Sequence, residues 1–226
     1  MLAGVFKQIL GFLLLPLCFA MGRSAFLVIT LLQAPVMECV ALICGVAAFV
    51  FIWIYLPRPV RMYVLGHELT HALWGLLFFA RPSKLRVRKN GGSVNLTKTN
   101  FLITLSPYFF PFYTFVLIVL AALTKLAVTP LPLVPLWLFL LGMSWAFHVL
   151  FTFDSLSCFQ PDIAEYGRVL SWAFIFTANV AVVLLALASV VSVSLGEVVA
   201  TVCSCSADAY VWVYSVFREA VIQLRQ

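Results

Sequence analysis

The chain has 226 residues, of which 64% are hydrophobic and only 10% are Asp, Glu, Lys or Arg. A soluble domain carries about a quarter charged residues, because it must cover its outside with them; a mean hydropathy of +1.11 excludes that class and points to an integral multi-pass membrane protein. The formal charge of +6 does not mark a nucleic-acid binder, because the basic residues cluster at the ends of apolar runs, where the positive-inside rule expects them.

The N-terminal run MLAGVFKQILGFLLLPLCFAMG joins a lysine to an apolar stretch, as a signal peptide does. More apolar sequence follows at once, so a retained first span or interfacial helix is expected over residues 5–32, interrupted at Gly22-Arg23. Further spans are expected near 36–57, 62–80, 101–125, 133–153 and 167–195. Each is long enough to cross a bilayer at about 1.5 Å per residue. Pro35, Pro57, Pro59, Pro130, Pro132 and Pro161 punctuate the boundaries. The expected architecture is an all-α polytopic membrane protein of about six transmembrane helices, forming a single membrane-embedded domain over residues 1–226. The six cysteines contain no CxxC pair. Most lie in apolar runs and read as small hydrophobes; Cys203 and Cys205 could pair or bind metal, and the small-hydrophobe reading is preferred for them too.

The segment after the third span, ARPSKLRVRKNGGSVNLTKTN, holds Arg81, Lys84, Arg86, Arg88, Lys89 and Lys98, the densest basic cluster of the chain. The positive-inside rule places it in the cytoplasm. Its core, LRVRK-NGG-SVNLT, alternates apolar and polar residues around Asn90-Gly91-Gly92, which predicts a short cytoplasmic β-hairpin. Asn95-Leu96-Thr97 is formally a glycosylation sequon, left unmodified on that side of the membrane. With this orientation the third and fifth spans run inward, residues 154–166 lie at the cytoplasmic end, and the C-terminal segment lies outside. Residues 196–226 read as an amphipathic helix, with Tyr210, Val213, Tyr214, Phe217, Val221 and Leu224 on one face and Ser206 as an N-cap.

The stretch GHELTHALWG, residues 66–75, interrupts this apolar background. His67 and His71 are four apart, so on a helix both imidazoles face one way, one turn apart. Two imidazoles so placed can reach one tetrahedral zinc at about 2.0–2.1 Å each. Glu68 can face the open position of such a metal as a general base, the chemistry of the HExxH pattern. Ionisable groups inside a membrane are costly and mark function by default, whereas a purely structural role would have them bonding across helices. Thr70 is read as a packing hydroxyl. A catalytic zinc needs a third protein ligand, and His148, Asp154, Asp162 and Glu165 are the candidates. Asp162 also suits a helix N-cap, with Glu165 completing a capping box. His148 is carried as a catalytic residue: an alternative ligand, a partner of a ligand, or a hydrogen-bond donor to the transition state.

At this point the chain resembles the site-2 protease family of intramembrane zinc metalloproteases, in its short, divergent, bacterial-type branch. HELTH matches that family's metal helix, and the basic hairpin is similar to its membrane-reentrant β-hairpin. Gln160-Pro161-Asp162 resembles its Asn-Pro-Asp-Gly element, with Gln160 for asparagine and Ile163 for glycine. SPYFFP, with Ser106 and Pro107, resembles a small-residue–Pro motif in the next span. The resemblance covers roughly residues 60–180. It implies one Zn²⁺ per chain held by His67, His71 and Asp162, with Glu68 as base. It implies hydrolysis of a peptide bond within or near a transmembrane segment of another membrane protein, in a bacterial inner membrane, from a site open toward the cytoplasm. The hairpin edge would hold the unwound substrate by strand addition. The rival readings are an inactive pseudoprotease that binds membrane proteins, a metal-ion transporter, and a CAAX-processing membrane zincin.

Overall fold

The computed structural model describes residues 2–30, 35–88, 91–128, 132–190 and 194–224. It is largely helical with one small antiparallel sheet, and it separates into two compact units, Ala34–Asp162 and Met1–Gln33 with Ile163–Gln226. Among the described residues, four helices are long and apolar enough to cross a membrane, and a fifth is gained if one bent pair counts as a single span.

The unit Ala34–Asp162 holds α2 (Val36–Tyr55), α3 (Val60–Leu77), β1 (Pro82–Arg88), β2 (Gly91–Leu96), α4 (Phe101–Phe109), α5 (Phe112–Ala127), α6 (Val134–Ser157) and the start of α7 (Pro161–Tyr166). Helices α2 and α6 meet backbone to backbone. A Cβ on Gly45 would run into the Phe139 carbonyl, and one on Gly142 into the Leu42 carbonyl. Lipid tails are as apolar as leucine, so helices in a bilayer associate by close packing, and small residues at the seam allow it. Farther along, aromatic side chains bind α3 to this pair. Tyr63 stacks on Phe151 at 4.7 Å between ring centroids, while Trp53 and Phe49 meet Phe151 and Phe147 edge-on, in the offset and edge geometries that ring quadrupoles favour.

Helix α3 is not among the helices apolar enough to qualify as spans, because Arg61, His67, Glu68 and His71 lie within its 18 residues. The segment expected as one span over 101–125 is broken. Asn100 caps α4 by accepting the Ile103 amide at 2.9 Å, but α4 ends at Phe109 and the chain bends by 76° into α5. Pro111 explains the break, since it has no N–H to carry the helix across and its ring clashes with the preceding turn.

The hairpin forms as expected, with Val87 opposite Gly92 and Arg88 opposite Gly91. Gly91 and Gly92 therefore belong to β2; Lys89 and the predicted turn residue Asn90 lie outside the described residues. Lys84 has φ of 51° at an irregularity between Ser83 and Arg86, the signature of a β-bulge. The hairpin is not a connector standing away from the helices. The position of a Gly92 Cβ is 2.6 Å from Val64 and 2.7 Å from Glu68, and Leu96 lies against Gly75. Four strand residues advance about 13 Å and seven helical residues about 10 Å, so β2 runs alongside α3.

In the other unit, α1 (Leu2–Thr30) is continuous through Gly22-Arg23. Arg23 is accommodated because it pairs with Asp208 at 3.0 Å, on α9 (Leu195–Gln223). Helix α8 (Arg168–Val190) packs on α1, where Cys18 contacts the Ala173 carbonyl at 3.4 Å. Tyr210 of α9 donates to the Leu13 carbonyl at 2.8 Å. The amphipathic C-terminal helix is thus capped twelve residues before Ser206, at Ser194. Ser194 accepts the Glu197 amide and Glu197 reaches back to the Ser194 amide, a capping box that holds the Glu197 carboxyl below its ordinary value. Ser206 lies mid-helix and donates to the Val202 carbonyl. All six cysteines are free thiols.

Candidate metal centre

Among the described residues, one group of side chains is arranged to hold a metal: His67, His71 and Asp162, with one donor atom of each within 4.8 Å of the others. His67 and His71 come from adjacent turns of α3, as their spacing predicts. Asp162 comes from the second position of α7, just past the end of α6. Its Oδ2 is 3.6 Å from His67 Nε2 and 3.5 Å from His71 Nε2. These separations exceed those of ordinary N–H···O hydrogen bonds, which cluster near 2.9–3.0 Å. They are close to the roughly 3.3 Å edge of a tetrahedron whose ligands lie about 2.0–2.1 Å from a central zinc.

The outer nitrogens of both imidazoles are also occupied. His71 Nδ1 is 2.9 Å from the Ile103 carbonyl, and His67 Nδ1 is 3.4 Å from the Tyr63 hydroxyl, which meets Ser155 Oγ at 2.6 Å. Ligating histidines are oriented in this way, with the far nitrogen held and the near one turned to the metal. The Ile103 carbonyl is available for a local reason. In an α-helix it would accept the amide of the residue four positions on, and that residue is Pro107, which has no N–H. The Ser-Pro of SPYFFP thus exposes a backbone acceptor at the point where His71 needs one.

Tyr108, from the same motif, is fully buried and donates to Asp162 Oδ2 at 3.2 Å. Burial pushes the Asp162 carboxyl up, but the two imidazoles more than reverse this and hold it well below the ordinary carboxylate range. Removing one such supporting partner typically weakens metal binding 10–100-fold. Tyr108→Phe is therefore expected to raise the zinc dissociation constant by about that factor with the fold intact. Competition against a chromophoric chelator measures it, and an unchanged constant would remove Tyr108 from the site.

Glu68 is buried, 7% exposed, and its side chain lies against Gly92 of β2. It lies between α3 and β2. The other candidates fall elsewhere. Asp154 pairs with Arg58 at 3.1 Å in an exposed ion pair. Glu165 is outside the metal-capable group, as is His148, and the Asp162 carboxylate faces the imidazoles. His148 is buried on α6 and lines, with His67, Tyr63, Thr70, Tyr113 and Ser144, a cavity of about 20 Å³, room for roughly one water molecule. Thr70 donates within its own helix to the Gly66 carbonyl at 2.7 Å.

The residues that sequence reading missed are Tyr63, Tyr108, Ser155 and the Ile103 carbonyl. For Ile103 the signal was present, since Pro107 fixes which carbonyl loses its helical N–H partner. No family model matches the chain, and neither the curated proteins nor the solved structures searched contain a match.

Proposed function

We propose that the protein is a zinc-dependent intramembrane metalloprotease of the site-2 type, hydrolysing a peptide bond in or near a transmembrane segment of another membrane protein. The observation that carries this reading is the convergence of His67 Nε2 and His71 Nε2 on Asp162 Oδ2 at 3.5–3.6 Å, next to a buried glutamate. That spacing suits a shared metal better than direct hydrogen bonds. A bound zinc would supply Lewis acidity and lower the pKa of a water toward about 7.

The chain's own residues have separable tasks. His67, His71 and Asp162 hold the ion; Tyr63, Tyr108 and the Ile103 carbonyl hold the ligands. Glu68 takes the proton of the attacking water on its carboxylate and returns it to the leaving amine. The reading carries with it about six spans, α3 and the α4–α5 pair included, and a site facing the cytoplasm, where the basic hairpin lies under the positive-inside rule.

The test is zinc analysis of the detergent-purified protein, combined with cleavage of fluorescein-labelled casein and of synthetic transmembrane peptides. About one zinc per chain with chelator-sensitive cleavage is the expected result. Zinc without cleavage would favour a membrane-protein-binding scaffold, metal flux in proteoliposomes without cleavage a transporter, and a metal-free folded protein would overturn the reading.

A further inference from the structure

The hairpin does more at this site than border it. Strand β2 passes close against α3 at Gly92. A Cβ placed there would lie 2.6 Å from Val64 Cγ1, 2.7 Å from Glu68 Cγ and 2.8 Å from Glu68 Oε1. No side chain can occupy that position while Glu68 keeps its present rotamer. Glu68 is thus confined on this side by a surface that is pure backbone at Gly92.

We propose that Gly92 is a positioning residue for Glu68: the bare backbone of β2 sets the rotamer of the general base, so that the hairpin and the HExxH helix form one catalytic element. This rests on the metalloprotease reading for its consequence in turnover, but not for its geometry. It also explains why the second glycine of Asn-Gly-Gly is needed. Gly91, with φ of 135°, answers the backbone demand of a position next to a turn, whereas Gly92 answers a demand from across the interface.

The experiment has two arms. The first is independent of activity and uses a Val64→Ala background, which clears the other close contact. The midpoint of thermal unfolding is measured for Gly92 and Gly92→Ala, each with Glu68 and with Glu68→Ala. Gly92→Ala is expected to lower the midpoint by about 3 °C or more beside Glu68, and by much less once the Glu68 side chain is gone, the non-additivity of residues in contact. Additive losses would overturn the contact and with it the proposal.

The second arm compares zinc content and casein turnover of wild type, Gly92→Ala and Ser93→Ala. Gly92→Ala is expected to keep its zinc and its KM while kcat falls at least about tenfold, the pattern of an interaction lost only in the transition state; Ser93→Ala should change neither. A parallel loss of zinc, or a rise in KM alone, would make Gly92 merely structural and overturn the proposal. If the zinc-loaded wild type cleaves nothing, the protease reading fails, while the unfolding cycle still decides whether Gly92 sets Glu68.

Discussion

Substituting Glu68 by glutamine is expected to leave zinc content unchanged and to reduce peptide hydrolysis by about 10²–10⁴-fold, the contribution of a positioned general base. The substitution isolates the proton-transfer role because so little else changes. The amide has the shape of the carboxylate, and it lies against Gly92 in the same way. Glu68 does not belong to the donor group of His67, His71 and Asp162, so the metal loses no ligand. What the amide cannot do is take up a proton at the pH of the reaction. Zinc analysis and casein cleavage on the same preparation check both halves. Retained turnover in a zinc-replete Glu68→Gln protein would sink Glu68 as the base.

The largest effect on the metal itself is expected from Asp162→Ala. The carboxylate oxygen is the point where both imidazoles and Tyr108 converge. Its removal takes away one of three ligands and the only negative charge among them. Zinc content should fall from about one per chain to a small fraction, as it should for His67→Ala, while Asp154→Ala and Glu165→Ala keep their metal. The contrast with Asp154 is informative because both aspartates follow the fifth expected span. Asp154 is committed to Arg58 at 3.1 Å on an exposed surface, and an exposed pair of that kind contributes about 0–1 kcal/mol, so its loss should pass unnoticed. Full zinc retention in Asp162→Ala would transfer the third position to Asp154, His148 or Glu165.

The parts of this site that could be read from the sequence are those fixed by local periodicity. The four-residue interval between His67 and His71 defines a helix face without any tertiary information, and the alternation around Asn90-Gly91-Gly92 defines a hairpin. Choosing Asp162 over Asp154 was not local. Spacing left both open, and resemblance alone preferred the former; in the structure Asp162 meets the imidazoles and Asp154 meets Arg58. The break between α4 and α5 was legible in Pro111 yet hidden by the continuous hydropathy of residues 101–125, because hydropathy averages over a proline that backbone hydrogen bonding cannot ignore. The N-cap of α9 was placed at Ser206 instead of Ser194 for the opposite reason. Its first turns are apolar and merge with the preceding run, so the polar Ser206 stood out as a boundary, although Ser194 and Glu197 carried the proper spacing of a capping box.

The meeting of α2 and α6 at Gly45 and Gly142 bears on which substitutions the protein can absorb. Along α2 only Gly45 and Phe49 are buried, while Val40, Ile43, Val50, Phe51 and Ile54 face outward. In a bilayer those outward side chains exchange one hydrocarbon neighbour for another and gain little by being any particular apolar residue. Their identity can drift freely so long as they stay lipophilic, whereas a single methyl group at 45 or 142 would part the helices. The information that specifies this half of the fold is therefore concentrated in a few of its smallest residues, and the long hydrophobic stretches that dominate the composition are, position by position, its most replaceable part.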